Sequence, residues 1–167
     1  FVVLLLLVLK RWAWIGQVVR QPKVLGAFAL SALLLSSNWL IYVWAVQHQR
    51  VDLVYDMVRA LWSYFEIRGR YREGIELLSP ALTLPDHHAA APRAQTRLRH
   101  GLSMLHFRSG DLQLARSLAL SGVAPGEDCG DTEAYIGCLL NTAMCLWAQG
   151  HAAEARPYYE KGLTVAQ

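Results

Sequence analysis

The sequence contains few combinations of residue types that could carry out chemistry. Its nearest approach to a metal-binding cluster is Asp86, His87 and His88, but adjacent side chains of one loop rarely converge on one ion, and no further ligand follows at a suitable spacing. His100 and His106 are six positions apart, about 240° around a helix, so they do not share a face. We therefore predict no metal, no cofactor and no enzymatic activity.

The three cysteines are interpreted as structural thiols. Cys138 and Cys145 are seven positions apart on one predicted helix, which separates their Cα atoms by about 10 Å, too far for a disulfide. Both are expected in the core and Cys129 in a loop, and unpaired thiols favour a reducing compartment. The carboxylates that follow the second repeat are interpreted as a solvated surface: Glu127, Asp128 and Asp131.

Charge is distributed unevenly along the 167 residues. Residues 1–49 carry four basic and no acidic residues, whereas residues 50–167 carry twelve basic and thirteen acidic ones. The net charge of +3 is too small and too dispersed for binding nucleic acid, and a hydrophobic content of 54% excludes intrinsic disorder. The composition predicts a membrane segment, residues 1–51, followed by a soluble helical part, residues 53–167.

One uncharged run, Val24–Val46, has the length of a membrane-spanning helix. Its 23 residues would reach about 34 Å, enough to cross a hydrocarbon core of about 30 Å. Trp39, Tyr42 and Trp44 lie near its end, as interfacial aromatic residues do. We predict that this run contacts the lipid bilayer. The alternative is a buried helix of a soluble core.

The residues before this run predict part of a second membrane helix and a loop. Residues 1–9 are apolar but reach only about half of a bilayer, so we expect a partial helix there. Residues 10–23 carry all four basic residues of the first stretch and two tryptophans, which is typical of a loop on the cytoplasmic membrane surface. This part of the chain is therefore expected in the inner membrane of a cell.

The run SALLLSSNWLIYVWAVQHQRV, preceded by this basic loop, resembles the third transmembrane helix of the EamA/RarD-type drug/metabolite transporters, over about residues 1–51. The resemblance implies a family with ten transmembrane helices in two repeats, of which the chain keeps one helix and part of another. A transport path needs helices around a cavity, so transport activity is not expected here. Asn38 is the only strongly polar residue of the span. It is interpreted as a partner in a helix–helix hydrogen bond, with a direct functional role as the alternative.

Three segments of the second part repeat one another. They begin at Gly69, Gly110 and Gly150, at spacings of 41 and 40 residues, and each follows an apolar helical stretch. Helix, glycine turn and helix at a fixed period predict an all-α fold in which three helical hairpins stack as an α-solenoid. We place the hairpins at about residues 53–84, 92–123 and 132–167.

The repeats resemble the tetratricopeptide family, in the long-loop form found in bacterial regulators. Aligned on the turn glycines, three sets of residues fall at packing positions of that family. The first small set is Gly74, Ala115 and Ala155; the large apolar set is Leu78, Ala119 and Tyr159; the second small set is Ala81, Gly122 and Gly162. Pro80 and Pro157 fall inside second helices and are expected to kink or shorten them.

The resemblance implies that the first helices of the hairpins line a groove that binds a protein or peptide. The aligned groove residues are Arg59, Ser63 and Glu66 in the first hairpin, Arg97, His100, Met104 and Arg108 in the second, and Met144 and Trp147 in the third. The basic middle hairpin favours an acidic or carboxylate-ended peptide. The predicted function is therefore non-catalytic protein–protein interaction on a membrane-tethered scaffold.

The alternative is a fragment of an EamA/RarD-type transporter that is fused or mis-joined to the repeat region of a regulator. Both parts are expected to be truncated. No proline occurs between Pro22 and Pro80, and no glycine between Gly26 and Gly69, so either one rod of about 45 residues or a break near Gln47–Asp52 is expected. The positive charges of residues 10–23 predict that this loop lies in the cytoplasm, which places the repeats on the other side of the membrane. The unpaired cysteines of the repeats instead favour the cytosol, so the two indications conflict.

Overall fold

A computed structural model of the chain describes residues 22–84 and 91–167. Within these two ranges the chain is helical and forms no strand, which confirms the predicted all-α class. The helices are α1 (Pro22–Gln47), α2 (Val51–Ile67), α3 (Tyr71–Leu78), a 3₁₀ helix (Ser79–Thr83), α4 (Ala91–Ser109), α5 (Leu112–Glu127), α6 (Thr132–Ala148) and α7 (Ala152–Val165). The predicted partial helix at residues 1–9, most of the basic loop at residues 10–23, and the Asp86, His87 and His88 triplet lie outside the described residues.

The chain divides into two compact units, and the division falls inside α1, between Ile41 and Tyr42. In the first unit, the large apolar side chains of α1 are exposed rather than packed in a core; they include Leu30, Leu33 and Leu34. The segment Leu25–Gln47 is long and apolar enough to cross a membrane. Exposing these large apolar side chains to water is unfavourable, whereas their contact with the hydrocarbon core of a membrane is favourable.

Two serines of α1 form hydrogen bonds within the helix. The hydroxyls of Ser36 and Ser37 donate to the carbonyl oxygens of Ala32 and Leu33, at 2.7 and 2.8 Å. A serine bonded in this way exposes no unpaired donor. These serines are therefore compatible with an apolar surrounding.

The helix breaks near Gln47–Asp52, as expected from the second of the two alternatives. α1 ends at Gln47, and Gln49 takes a left-handed backbone conformation with φ +53°. The Arg50 amide donates to the carbonyl oxygen of Ala45 at 2.8 Å, which closes the end of the helix. The prediction of one rod of about 45 residues is wrong, because this closed turn ends the i to i+4 hydrogen bonding.

The three repeat glycines form the tight turns predicted for them. Gly69, Gly110 and Gly150 have φ values of +66°, +91° and +86° and lie between α2 and α3, α4 and α5, and α6 and α7. A residue with a Cβ is strained in this left-handed region, whereas glycine is not. This is the physical reason for the repeated residue type.

The prolines differ in their effects on the second helices. α3 ends at Leu78, and the chain continues through Pro80 as a 3₁₀ helix, as predicted. α7 continues through Pro157, so that proline does not shorten its helix. α5 likewise includes Pro125 and runs to Glu127, so the loop before α6 is shorter than the sequence suggested.

The second unit, residues 42–167, is built from successive helical pairs. The first helix of each pair packs on the first helix of the next, α2 on α4 and α4 on α6, and α5 packs against both α4 and α6. The side chains at the centre of this packing are almost fully buried: Val54, Val58, Leu98, Leu102 and Leu105. Burying side chains of this size stabilises the fold by about 1.5–3 kcal/mol each.

The predicted small positions are buried where helices approach closely. Ala115 and Ala155 are inaccessible to solvent, and a Cβ at Gly74 would lie 2.8 Å from side-chain carbons of Phe65 and Leu105. The second small set is buried as well: Ala81, Gly122 and Gly162. Small residues at these positions allow the helices to pack without voids or clashes.

The large apolar set is only partly buried. Leu78 and Ala119 are inaccessible, but Tyr159 is 39% exposed. Within the described part of the chain, Tyr159 is thus not packed as closely as its two equivalents, contrary to the prediction. Cys138 and Cys145 are buried as predicted, and Cys129, although it lies in the loop before α6, is buried too.

Candidate functional site

The predicted groove residues of α2 and α4 are connected by an ion pair near the glycine turns. The Nε and Nη2 atoms of Arg108 donate to Glu66 Oε1 at 3.1 and 2.9 Å. Both residues were predicted to lie in the groove, and they are 42 positions apart in sequence. The side-by-side packing of α2 and α4 brings them together, so the charge of this arginine is already neutralised by a groove residue.

A second ion pair connects α4 to the start of α6. Arg97 Nη2 lies 2.6 Å from Asp131 Oδ2, and the two side chains are only 15% and 4% exposed. The other carboxylate oxygen of Asp131 accepts the Ala134 amide at 3.1 Å, which caps α6. The guanidinium carbon of Arg97 also lies 4.3 Å from the ring centroid of Tyr55 on α2. Arg97 therefore holds three helices together.

The interpretation of Asp131 as a solvated carboxylate is wrong. Its side chain is buried because the loop after α5 places it between α4 and α6, where it meets Arg97. One signal in the sequence could have identified it: an aspartate directly before an amphipathic helix is a preferred N-cap. The buried ion pair could not have been identified that way, since its partner is 34 positions away.

A third ion pair reaches across the face of the first helices. Arg59 Nη2 of α2 lies 2.9 Å from Glu133 Oε1 of α6, and both side chains are largely exposed. All three predicted groove arginines are thus paired with carboxylates of this chain. The positive charge expected from the residue count is offset by these carboxylates.

His100 is packed between helices. Its imidazole faces the Trp62 ring of α2, with centroids 5.1 Å apart, and the position of a Cβ on Gly137 of α6 would overlap the imidazole. Burial lowers the pKa of His100 to about 4. The imidazole is therefore neutral at pH 7 and acts in packing.

A hydrogen-bond network fixes the backbone next to His100. The Asn141 side-chain amide donates to the carbonyl oxygen of His100 at 3.2 Å and to Ser103 Oγ at 2.7 Å. Ser103 in turn donates to the same carbonyl at 2.7 Å. These buried groups satisfy one another and hold α4 and α6 in one register. Sequence reasoning missed this network, because Asn141 and Ser103 are 38 positions apart.

The remaining groove candidates are less closely connected. Ser63 and Met104 are half-buried on α2 and α4, Met144 is half-buried on α6, and Trp147 is among the most exposed apolar residues. Asn38 is half-buried on α1, in the first unit. The structure thus brings Arg59 and Arg97 near His100. It pairs Arg108 with Glu66 separately and leaves Trp147 open to solvent.

A cavity of about 580 Å³ lies at the N-terminal ends of α2 and α4. Its lining residues are Asp52, Tyr55, Asp56, Pro92, Arg93, Asp128 and Cys129. Arg93 Nε donates to the carbonyl oxygen of Cys129 at 2.6 Å. Throughout residues 22–84 and 91–167, no three histidine, cysteine or acidic side chains come together in a way that could hold a metal ion.

Comparison with known proteins relates a segment of this helical, membrane-compatible chain to RarD proteins. RarD of Streptomyces exfoliatus is 46% identical over 62 residues, which cover 37% of this chain and 18% of that protein. RarD of Salmonella typhi is 35% identical and RarD of Escherichia coli K12 is 29% identical, each over 65 residues, 39% of this chain and 20% of that protein. The chain spans about a fifth of the length of these curated relatives.

These similarities support an EamA/RarD-type fragment and a membrane protein. No family model matches the chain, and no solved structure matches it. The tetratricopeptide resemblance therefore has no support from known proteins.

Proposed function

We propose that α1 crosses a cell membrane, the inner membrane of a bacterium, as one helix of an EamA/RarD-type segment. The observation that carries the proposal is the similarity to RarD proteins over 62 residues, and the exposed apolar surface of α1 agrees with it. The segment does not enclose a transport path by itself, since a path needs several helices around a cavity. We assign it the role of a membrane anchor.

The length of the similarity bears on the boundary between the two parts. A match of 62 residues is longer than the predicted membrane segment of residues 1–51, so a match that begins in that segment ends at residue 62 or later, within or beyond α2. In the structure, Val51, Val54 and Val58 of α2 are buried in the core of the second unit. If the chain joins two sequences of different origin, we place that join after α2 has begun. Unbroken sequencing of the genome across the codons for residues 41–70 tests whether it is natural.

Membrane insertion is tested with the full chain and one buried-charge variant. In cells, the unsubstituted chain should stay in the membrane pellet after alkaline carbonate extraction. Leu33→Arg places a charge in the middle of α1, at a cost of about 2.5–3.5 kcal/mol, and should move most of the chain to the soluble or degraded fraction. Leu120→Arg, at an exposed position of α5, is the matched control and should stay in the pellet. Full extraction of the unsubstituted chain would contradict the proposal.

A second candidate function concerns the helical pairs. We propose that residues 53–167 form a tetratricopeptide-like α-solenoid that binds peptides without catalysis. Left-handed turn glycines at the repeat spacing and first helices that pack on one another favour this function. The partner would be an acidic peptide that displaces the exposed ion pairs of Arg59 and Arg108. Exposed pairs contribute only about 0–1 kcal/mol, so a ligand carboxylate can compete with them.

Peptide binding is tested with a defined probe. The probe is a fluorescent hexaglutamate peptide with a free carboxyl end, titrated against the full chain in nanodiscs. The double substitution Arg59→Gln and Arg108→Gln should weaken binding about tenfold, because it removes two cations from the groove. Arg156→Gln on α7 removes one charge elsewhere and should change binding little. Equal affinities for all three proteins would contradict an acidic peptide as the partner.

A further inference from the structure

Two exposed arginines of the predicted groove form ion pairs with carboxylates of the chain itself. Arg59 Nη2 of α2 lies 2.9 Å from Glu133 Oε1 of α6. Arg108 Nη2 of α4 lies 2.9 Å from Glu66 Oε1 of α2. The four side chains are between 22% and 60% exposed, so a ligand can reach both pairs. Glu133 and Glu66 therefore mark the positions that two ligand carboxylates would take.

The two ion pairs are separated by two turns of α2. Arg59 and Glu66 are seven positions apart in sequence, so they lie on the same side of the helix, about 10 Å apart along its axis. Because the Arg108 side chain donates to Glu66, its guanidinium lies at the level of that residue. The groove thus offers a ligand two cations that are about 10 Å apart.

Between these two cations, the first helices present uncharged side chains. Ser63 of α2 lies one turn after Arg59, and Met104 of α4 lies one turn before Arg108. Both side chains are half-buried. The third groove arginine, Arg97, is already held in a buried ion pair. A ligand that fits this arrangement therefore carries two carboxylates with uncharged residues between them.

The spacing of the two cations favours one backbone conformation of the ligand. A β-strand places residues i and i+3 on opposite sides. A polyproline II helix has three residues per turn and rises about 3.1 Å per residue, so its residues i and i+3 lie on the same side, about 9 Å apart. This conformation is common in unfolded chains and loses little entropy on binding, whereas a short isolated α-helix is marginal in water.

We propose that the groove binds a polyproline II segment of a partner protein with two acidic residues three positions apart, whose carboxylates take the places of Glu133 and Glu66. The two residues between them are uncharged and lie along Ser63 and Met104. This inference rests on the proposed peptide-binding function, to which it adds the conformation of the ligand and the spacing of its charges.

The spacing is tested with three short peptides in which proline fixes the distance between two glutamates. Their cores are EPE, EPPE and EPPPE, with blocked ends and an uncharged fluorophore. They are titrated against the full chain in phosphatidylcholine nanodiscs by fluorescence anisotropy. EPPE should bind at least tenfold more tightly than the other two, because only its carboxylates lie on one side of the polyproline II helix at about 9 Å.

The hexaglutamate peptide separates this inference from the proposed function, because it contains every spacing of carboxylates up to its length. If hexaglutamate binds and EPPE is not preferred over EPE and EPPPE, the inference is overturned and the peptide-binding function stands. If hexaglutamate does not bind, the function and the inference both fail.

Substitutions in the full chain locate the binding surface. Glu133→Gln removes the carboxylate that competes for Arg59 and should tighten EPPE binding at least threefold. Glu160→Gln removes a glutamate from an exposed ion pair within α7; it is the matched control and should leave EPPE binding unchanged. Arg59→Gln should weaken EPPE binding at least tenfold, and it keeps the test valid if Glu133→Gln unfolds. Unchanged EPPE affinity in the folded variants at positions 59 and 133 would overturn the proposal.

Two other occupants of the groove are distinguished by the same measurements. An α-helical peptide with glutamates seven positions apart spans the same distance of about 10 Å, and tighter binding of that peptide than of EPPE would overturn the proposal. A dimer of the full chain in detergent that EPPE dissociates would also overturn it, since the occupant would then be an acidic segment of a second copy.

Discussion

Acidification is expected to destabilise the second unit through His100. Burial lowers the pKa of its imidazole from 6.5 to about 4. Between these pH values the imidazole is therefore mostly protonated in the unfolded chain and mostly neutral in the folded protein. The stability contributed by the neutral imidazole is complete above pH 6.5 and is lost as the pH falls towards 4. At 1.36 kcal/mol per pKa unit, the full loss is about 3 kcal/mol. Asp131 opposes this shift in pKa, whereas Arg97 and Arg59 add to it.

The assay is urea unfolding of the full chain in detergent micelles, followed by circular dichroism at pH 7 and pH 4.5. Between these pH values, the unsubstituted protein should lose about 2 kcal/mol more of its free energy of unfolding than the His100→Gln variant, which lacks the buried imidazole at position 100. His151→Gln, at an exposed position, is the matched control and should behave as the unsubstituted protein does. The same pH dependence in the unsubstituted protein and in His100→Gln would refute the reasoning.

Three further predictions test the packing of the second unit. Asp131→Asn leaves the guanidinium of Arg97 without its buried counter-charge and should lower the free energy of unfolding by about 3 kcal/mol; a loss under about 1 kcal/mol in chemical denaturation would indicate a solvated pair. Gly150→Ala forces a Cβ into a turn with φ +86° and should cost about 1–2 kcal/mol by the same measurement; an unchanged free energy of unfolding would contradict a strained left-handed turn. Gly122→Leu would place a Cβ 2.6 Å from Cys138 Sγ and should cost about 1–3 kcal/mol, seen as a lower melting temperature in circular dichroism; an unchanged melting temperature would show that α5 and α6 can separate.

Features that depend on local residue type could be predicted well. Gly69, Gly110 and Gly150 adopt the left-handed turns expected of them, because only glycine enters that region without strain. The uncharged run forms one long apolar helix. Both follow from interactions within a few residues, which the sequence displays directly.

Features that depend on the meeting of distant residues could not be predicted. Arg97 and Asp131 are 34 positions apart, and the pattern of charges gave no reason to pair them. The partial exposure of Tyr159 was not predicted either, because burial depends on which helices pack around a residue. The prediction that His100 lies on the first helix of the second hairpin was correct. Its packing against Gly137 could not be predicted, because it depends on the crossing of α4 and α6.

By itself, the sequence determined the helical class, the glycine turns, the small residues at close helix contacts and the similarity of one segment to RarD proteins. Only the tertiary structure decided that the predicted basic groove is largely neutralised and that Asp131 is buried. The physical reason is that backbone conformation and helix formation respond to neighbours along the chain. Burial and ion pairing depend on distances between helices, which are settled only when the helices pack.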